Sequence, residues 1–197
     1  MTRLRYVAVG VTTLVLVAGG FAVTKMIAKP AGSGCEKRAG DDRQACYSQL
    51  LSERLNLHGV ADAVATLDQL ATTDPDVAEH AHEDAHGIGI ESYGKSRDIV
   101  NTFAACGDGY SSGCRHGVIQ AYFESRHDVT QPEVEGLCQP FKGGNQSRWV
   151  LFQCVHGMGH GLTMFRGHDL PRALVDCDLL TDGWDRESCY GGAFMES

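Results

Sequence analysis

Along most of the chain, apolar residues recur three and four positions apart, the spacing of one face of a helix. Almost nowhere do they alternate with polar residues over five positions, as a half-buried strand would. Val118, Ile119, Tyr122 and Phe123 mark a helix over 117–123, and the polar stretch 124–130 separates it from a second helix over 131–137. The same order returns downstream. A helix near 155–165 is broken at Arg166-Gly167-His168-Asp169, and Pro171 falls in the first turn of the next helix, where a missing N–H costs nothing. The segments 60–70 and 98–105 read as further second helices. The pattern predicts an all-α fold built of helical hairpins.

The hairpins repeat. Three segments read His86-Gly87-Ile88-Gly89, His116-Gly117-Val118-Ile119 and His156-Gly157-Met158-Gly159. Each histidine is followed, at nearly constant spacing, by an aspartate (Asp98, Asp128, Asp169), whose side chain suits capping the second helix or preceding it. Each unit then closes on a cysteine at almost the same distance: His86 leads to Cys106, His116 to Cys138 and His156 to Cys177. Cys189-Tyr190-Gly191-Gly192 opens a fourth unit with Gly191 in place of the histidine, and 46–70 looks like a divergent copy that turns at Leu57-His58-Gly59-Val60. Recurrence at this interval is the mark of a repeat array, here of three to four α/α units.

The N-terminus changes the picture of where the array resides. A basic leader at 1–5 is followed by an uncharged apolar run at 6–23, long enough for a helix to cross a bilayer core. The expected division is a leader at 1–5, a transmembrane anchor or signal at 6–28, a linker at 29–34 and a helical-repeat domain at 35–197 on the extracytoplasmic side. Four basic groups and no acidic one lie in 1–30, leaving 13 basic against 25 acidic beyond. That balance argues against a nucleic-acid partner.

Cysteine usage fits an oxidising compartment. There are eight, and none stands in a Cys-x-x-Cys or Cys-x-x-Cys-His arrangement, which disfavours a thioredoxin-like pair, a zinc ribbon and covalently attached haem. Eight cysteines allow 105 pairings, but their spacing falls into four short intervals: Cys35 with Cys46, Cys106 with Cys114, Cys138 with Cys154, and Cys177 with Cys189. Such bridges would staple the end of one unit's second helix to the start of the next unit. In this layout, 35–197 resembles the disulfide-stapled helical-repeat proteins of the Sel1-like type. The resemblance implies a binding or scaffolding role, while the His-Gly at each first helix is foreign to that family.

Those histidines pose the functional question. His86, His116 and His156 are equivalent by repeat; His82 lies one turn before His86, and His160 one turn after His156. Pairs at i and i+4 share a helix face, the usual spacing for two imidazoles on one metal ion. The five therefore form a candidate transition-metal site, for zinc or copper, with haem as a further option, held as one site or more than one. One pair together with His116 is the simplest ligand set. The competing reading makes the row structural: each histidine hydrogen-bonds a neighbouring backbone while the glycines admit close helix contact, and the array serves as a scaffold or sensor for a protein partner. His58, His127 and His168 fall in turns, and His80 lies off the face of the pair.

His82-Glu83-Asp84-Ala85-His86 also fits H-E-x-x-H, in which two histidines bind zinc and the glutamate acts as general base. Ser92 stands where the metzincin pattern has its third histidine, and Gly113 and Gln153 replace Glu83 in the other units, so a zinc hydrolase with Glu83 as catalytic base is the narrower alternative. No phosphate-binding glycine loop, dinucleotide fingerprint or nucleophile elbow is present. The acidic residues Asp176, Asp178, Asp182, Asp185 and Glu187 lack the order of a calcium loop and are expected to be solvated surface.

Overall fold

A computed structural model describes residues 34–143 and 148–197, and every regular element among them is helical. The helices are α1 (Gly40–His58), α2 (Val60–Thr73), α3 (Pro75–Ser96), α4 (Ile99–Ala105), α5 (Gly113–Glu124), α6 (Gln131–Leu137), α7 (Arg148–Phe165), α8 (Leu170–Cys177) and α9 (Gly183–Glu196). The anchor or signal expected at 6–28 lies outside the described residues. Among those described, no helix is long and apolar enough to cross a membrane.

Helix boundaries follow local chemistry. Asp74 caps α3 by accepting the Asp76 N–H, with Pro75 in the first turn; Asp98 accepts the Asn101 N–H, and Asp169 that of Arg172. In the His116 unit the aspartate precedes the second helix without capping it. There Thr130 is the cap, with Glu133 accepting from its N–H and its hydroxyl, while Asp128 lies two residues earlier and accepts the Val129 N–H. The first helices are longer than their apolar spacing indicated, α7 beginning at Arg148 and α3 at Pro75. Their opening turns carry exposed residues such as Glu79, His80 and Trp149, so no apolar stripe announces them.

The long helices stack in chain order, α3 on α5, α5 on α7 and α7 on α9, with α1 and α2 packed on α3 and the short α4 and α8 filling in behind. Phe103, Phe123, Leu67, Ile119, Met158 and Leu162 are fully buried between them. All eight cysteines are paired as their spacing indicated, with Cα–Cα separations of 5.4 to 5.9 Å. Three bonds tie the ends of α4, α6 and α8 to α5, α7 and α9, and the fourth ties the turn at Cys35 to α1. By chain-entropy reasoning each stabilises the fold by about 2–4 kcal/mol.

Of the five acidic residues near the C-terminus, Asp178, Asp182 and Glu187 are exposed as expected, and two are not. Asp176 and Asp185 are buried: Arg166 donates to both oxygens of Asp176 at 2.6 and 2.9 Å, and Lys142 lies 2.5 Å from Asp185. Asp182 caps α9, and Asp178 accepts the Tyr190 hydroxyl. The cost of burying two of these carboxylates is met by cations brought from other elements.

Glycine sets the helix spacing. A Cβ on Gly89 would lie 2.0 Å from the Cys114 carbonyl oxygen, and one on Gly117 would lie 2.1 Å from that of His86. The α7–α9 contact repeats this: Gly159 against the Cys189 carbonyl at 2.0 Å, Gly192 against that of His156 at 1.9 Å. Backbone meets backbone in both pairs, so the space beside Gly89 and Gly159 is used for close contact. Gly89→Ala is therefore expected to destabilise the protein by about 1–3 kcal/mol in denaturant unfolding. Gly87→Ala, two positions away with nothing within 4 Å of the new Cβ, should instead stabilise it by about 0.5–1 kcal/mol.

Two buried carboxylates fasten the first hairpin to α3, Asp84 by accepting from Gln44 at 2.8 Å and Asp74 at the start of the helix. Asp74 accepts from Arg43 and, at 2.5 Å, from the Tyr47 hydroxyl, both on α1. Burial pushes its pKa up, but the hydrogen bonds from Arg43, Tyr47 and the Asp76 N–H outweigh this and hold it below the ordinary carboxylate value. A depressed folded pKa stabilises at neutral pH and is lost as pH falls through it. Asp74→Asn should cost about 2–4 kcal/mol at pH 7, with the difference from the native chain shrinking as pH falls below about 4. Unfolding curves at pH 7 and pH 3 check both parts.

Candidate metal centre

The three first helices bring all five predicted histidines into one cluster. His82 and His86 project from successive turns of α3, His116 from α5, and His156 and His160 from successive turns of α7. Ring centroids are 4.9 Å apart within the first pair and 5.0 Å within the second. His116 stands between them, 5.9 and 5.7 Å from His82 and His86 and 6.0 and 4.3 Å from His156 and His160, stacked on the last. The glycine contacts explain this convergence. Gly117 follows His116 and abuts the His86 backbone, and Gly157 follows His156 and meets the edge of the His116 ring.

Three of the rings are held from outside by hydrogen bonds. His82 Nδ1 bonds the Tyr110 carbonyl at 2.7 Å, His86 Nδ1 the Gln120 side-chain oxygen at 3.3 Å, and His160 Nδ1 the Glu196 carboxylate at 2.9 Å. His156 turns its Nδ1 edge toward Gly191 on α9, and its Nε2 shares a hydrogen bond of 3.2 Å with that of His160. In His82 and His86 the acceptor fixes the proton on Nδ1 and leaves a lone pair on Nε2, the arrangement that orients imidazoles toward a metal. Nitrogens of His82, His86 and His116 lie within 4.8 Å of one another.

His116 differs from the other four. It is only 3% exposed, and neither ring nitrogen has a hydrogen-bond partner among the described residues. Burial, reinforced by the neighbouring His160 and His86, pushes its pKa down to about 2. Burial likewise brings His86 to about 4, and lowers His156. These rings are neutral at physiological pH, the form that binds metal.

A cavity of about 850 Å³ opens beside the cluster, bounded by Phe152, Met164, Met195, Glu83 and Glu196 as well as by the histidines. Glu83 is exposed at this cavity, next to His82. The remaining histidines stand apart: His58, His80, His127 and His168 are exposed, with His80 bonding the Asp76 carbonyl within its own helix. Gln120, Glu196 and the Tyr110 carbonyl complete the site and were not evident in the sequence. Gln120 alone had a local signal, one helical turn after His116; Glu196 is 36 residues from the ring it holds.

No protein-family model matches the chain, and no curated protein or solved structure matches it either. The functional reading therefore rests on the geometry of the cluster.

The two unpartnered nitrogens of His116 destabilise the fold, because a buried polar atom without a partner costs about 1–3 kcal/mol. His116→Leu, of similar volume, is expected to raise stability by a comparable amount in chemical unfolding with a chelator present. A purely structural role for His116 requires the opposite sign.

Proposed function

We infer that this is a transition-metal-binding protein, built as a helical array in an oxidising, extracytoplasmic setting and tethered through its N-terminal apolar segment. The observation that carries this reading is His116: a buried imidazole with both nitrogens unpartnered, beside His82 and His86, whose Nδ1 protons are directed outward. His82, His86 and His116 form the ligand set, with a fourth position facing the cavity. Three neutral imidazoles suit Zn²⁺ or Cu²⁺, borderline ions that favour nitrogen over hard oxygen ligands. The four disulfides support the compartment, since such bonds persist where thiols are oxidised.

Elemental analysis and an absorption spectrum of the full-length chain, purified without a histidine tag under oxidising conditions, test this directly. Zinc or copper bound by the native protein, and lost in His86→Ala without unfolding, is the expected result. A protein that carries no metal and takes up none on titration overturns the reading and returns the histidines to a structural role. A second reading, metal-assisted hydrolysis, draws on the exposed Glu83 at the same cavity. It requires Glu83→Gln to abolish hydrolysis while leaving metal content unchanged.

A further inference from the structure

We propose that the cavity beside the histidines is a binding site for a small organic cation, an amine or quaternary ammonium carried on an apolar body. The site goes beyond the metal reading and is formed by the cavity's other walls: Glu83 and Gly87 on α3, Trp149 and Phe152 on α7, and Met195 and Glu196 on α9.

The apolar wall is a ladder of flat rings. Trp149 stacks on Phe152 with centroids 5.5 Å apart, and Phe152 stacks on His156 at 5.1 Å, with ring planes 23° and 25° from parallel. Trp149 is 52% exposed and Met195 72% exposed, although both are large apolar side chains on a concave surface. A cavity of about 850 Å³ has the size of a small-molecule site, and such sites surround a few polar groups with apolar and aromatic side chains. An aromatic face also attracts a cation through its quadrupole, tryptophan most strongly. The neighbouring Arg148 does not take that place: its guanidinium lies over Trp184, 4.6 Å from the ring centroid.

Charge selects the sign of the ligand. Glu83, Asp108 and Glu196 line the cavity, and no lysine or arginine does. Asp108 is paired with Arg115, and Glu196 takes the His160 hydrogen bond. Glu83 is exposed, and no hydrogen bond or ion pair engages it among the described residues. Gly87, one helical turn from Glu83, keeps the space beside it open, since a Cβ there would meet nothing within 4 Å. An ammonium group at Glu83 is attracted, and an anion there is repelled. An ion on His82, His86 and His116 adds positive charge to the same cavity, so ion and cation weaken each other's binding by the same factor.

The test is calorimetric titration of the full-length chain, with and without a chelator, using benzyltrimethylammonium, benzyl alcohol and benzoate, which share a ring and differ in charge. A quaternary ammonium has no lone pair, so it cannot bind through a metal ion. The cation is expected to bind about tenfold more tightly than the alcohol, and benzoate not at all. Glu83→Gln should weaken the cation by about two- to fivefold, and Trp149→Ala by about three- to tenfold. Gly87→Leu, which fills the space beside Glu83, should abolish binding; Trp149→Ala carries the test should that variant not fold. Equal affinity for cation and alcohol overturns the proposal, as does cation binding unchanged in Gly87→Leu and Trp149→Ala. Metal content is measured on the same samples. A chain that binds the cation but neither zinc nor copper overturns the three-histidine site alone, and one that binds metal but never the cation overturns this site alone.

Discussion

Backbone contact between helices, made possible by glycine, is the constraint on which the histidine cluster depends. The α3–α5 and α7–α9 pairs approach until a glycine of each helix lies against a carbonyl of the other. The carbonyls concerned belong to His86 and Cys114 in one pair and to His156 and Cys189 in the other, so the residues that define the approach are ligand candidates and disulfide partners themselves. Any side chain at Gly89, Gly117, Gly159 or Gly192 would push the helices apart. Replacement of the histidine by Gly191 in α9 has its own effect: the α7 pair meets no imidazole from that side, and its nearest ring partner among the other histidines is His116.

Gathering five imidazoles in so little water decides their charge. Desolvation dominates the lowered pKa values of His86, His116 and His156, and neighbouring rings add to it, because adjacent imidazoliums repel. The acceptors lie on the periphery. Two of the three are neutral carbonyl oxygens, which fix a proton without adding charge, and the Glu196 carboxylate is the exception. At His82 and His86 the result is a lone pair directed inward and a proton donor directed outward, in a region where an unpartnered nitrogen is costly.

Much of this was legible in the sequence. The all-helical class, the extents of α4 and α6 and the four disulfide pairings followed from apolar spacing, Pro and Asp positions and short cysteine intervals. The five histidines followed from repetition and from i, i+4 spacing. The starts of α3 and α7 did not, because their first turns are exposed and leave no apolar stripe. Nor did the burial of Asp176 and Asp185, whose cationic partners come from other elements: Arg166 lies ten residues from Asp176, and Lys142 reaches Asp185 across the fold. The outward acceptors were equally hidden. A carbonyl has no sequence signature, and Glu196 meets His160 only through the packing of α9 on α7.

The disulfides give the cluster an independence that many small metal sites lack. In a zinc finger the ion itself holds the chain together, so binding energy is consumed in folding and the apo protein is unfolded. Here covalent bonds between neighbouring units, and a buried core running through α3, α5 and α7, hold the helices that carry the histidines. An ion bound as proposed would meet a scaffold whose ordering entropy is spent in folding rather than in binding, and its departure would leave those bonds and that core in place.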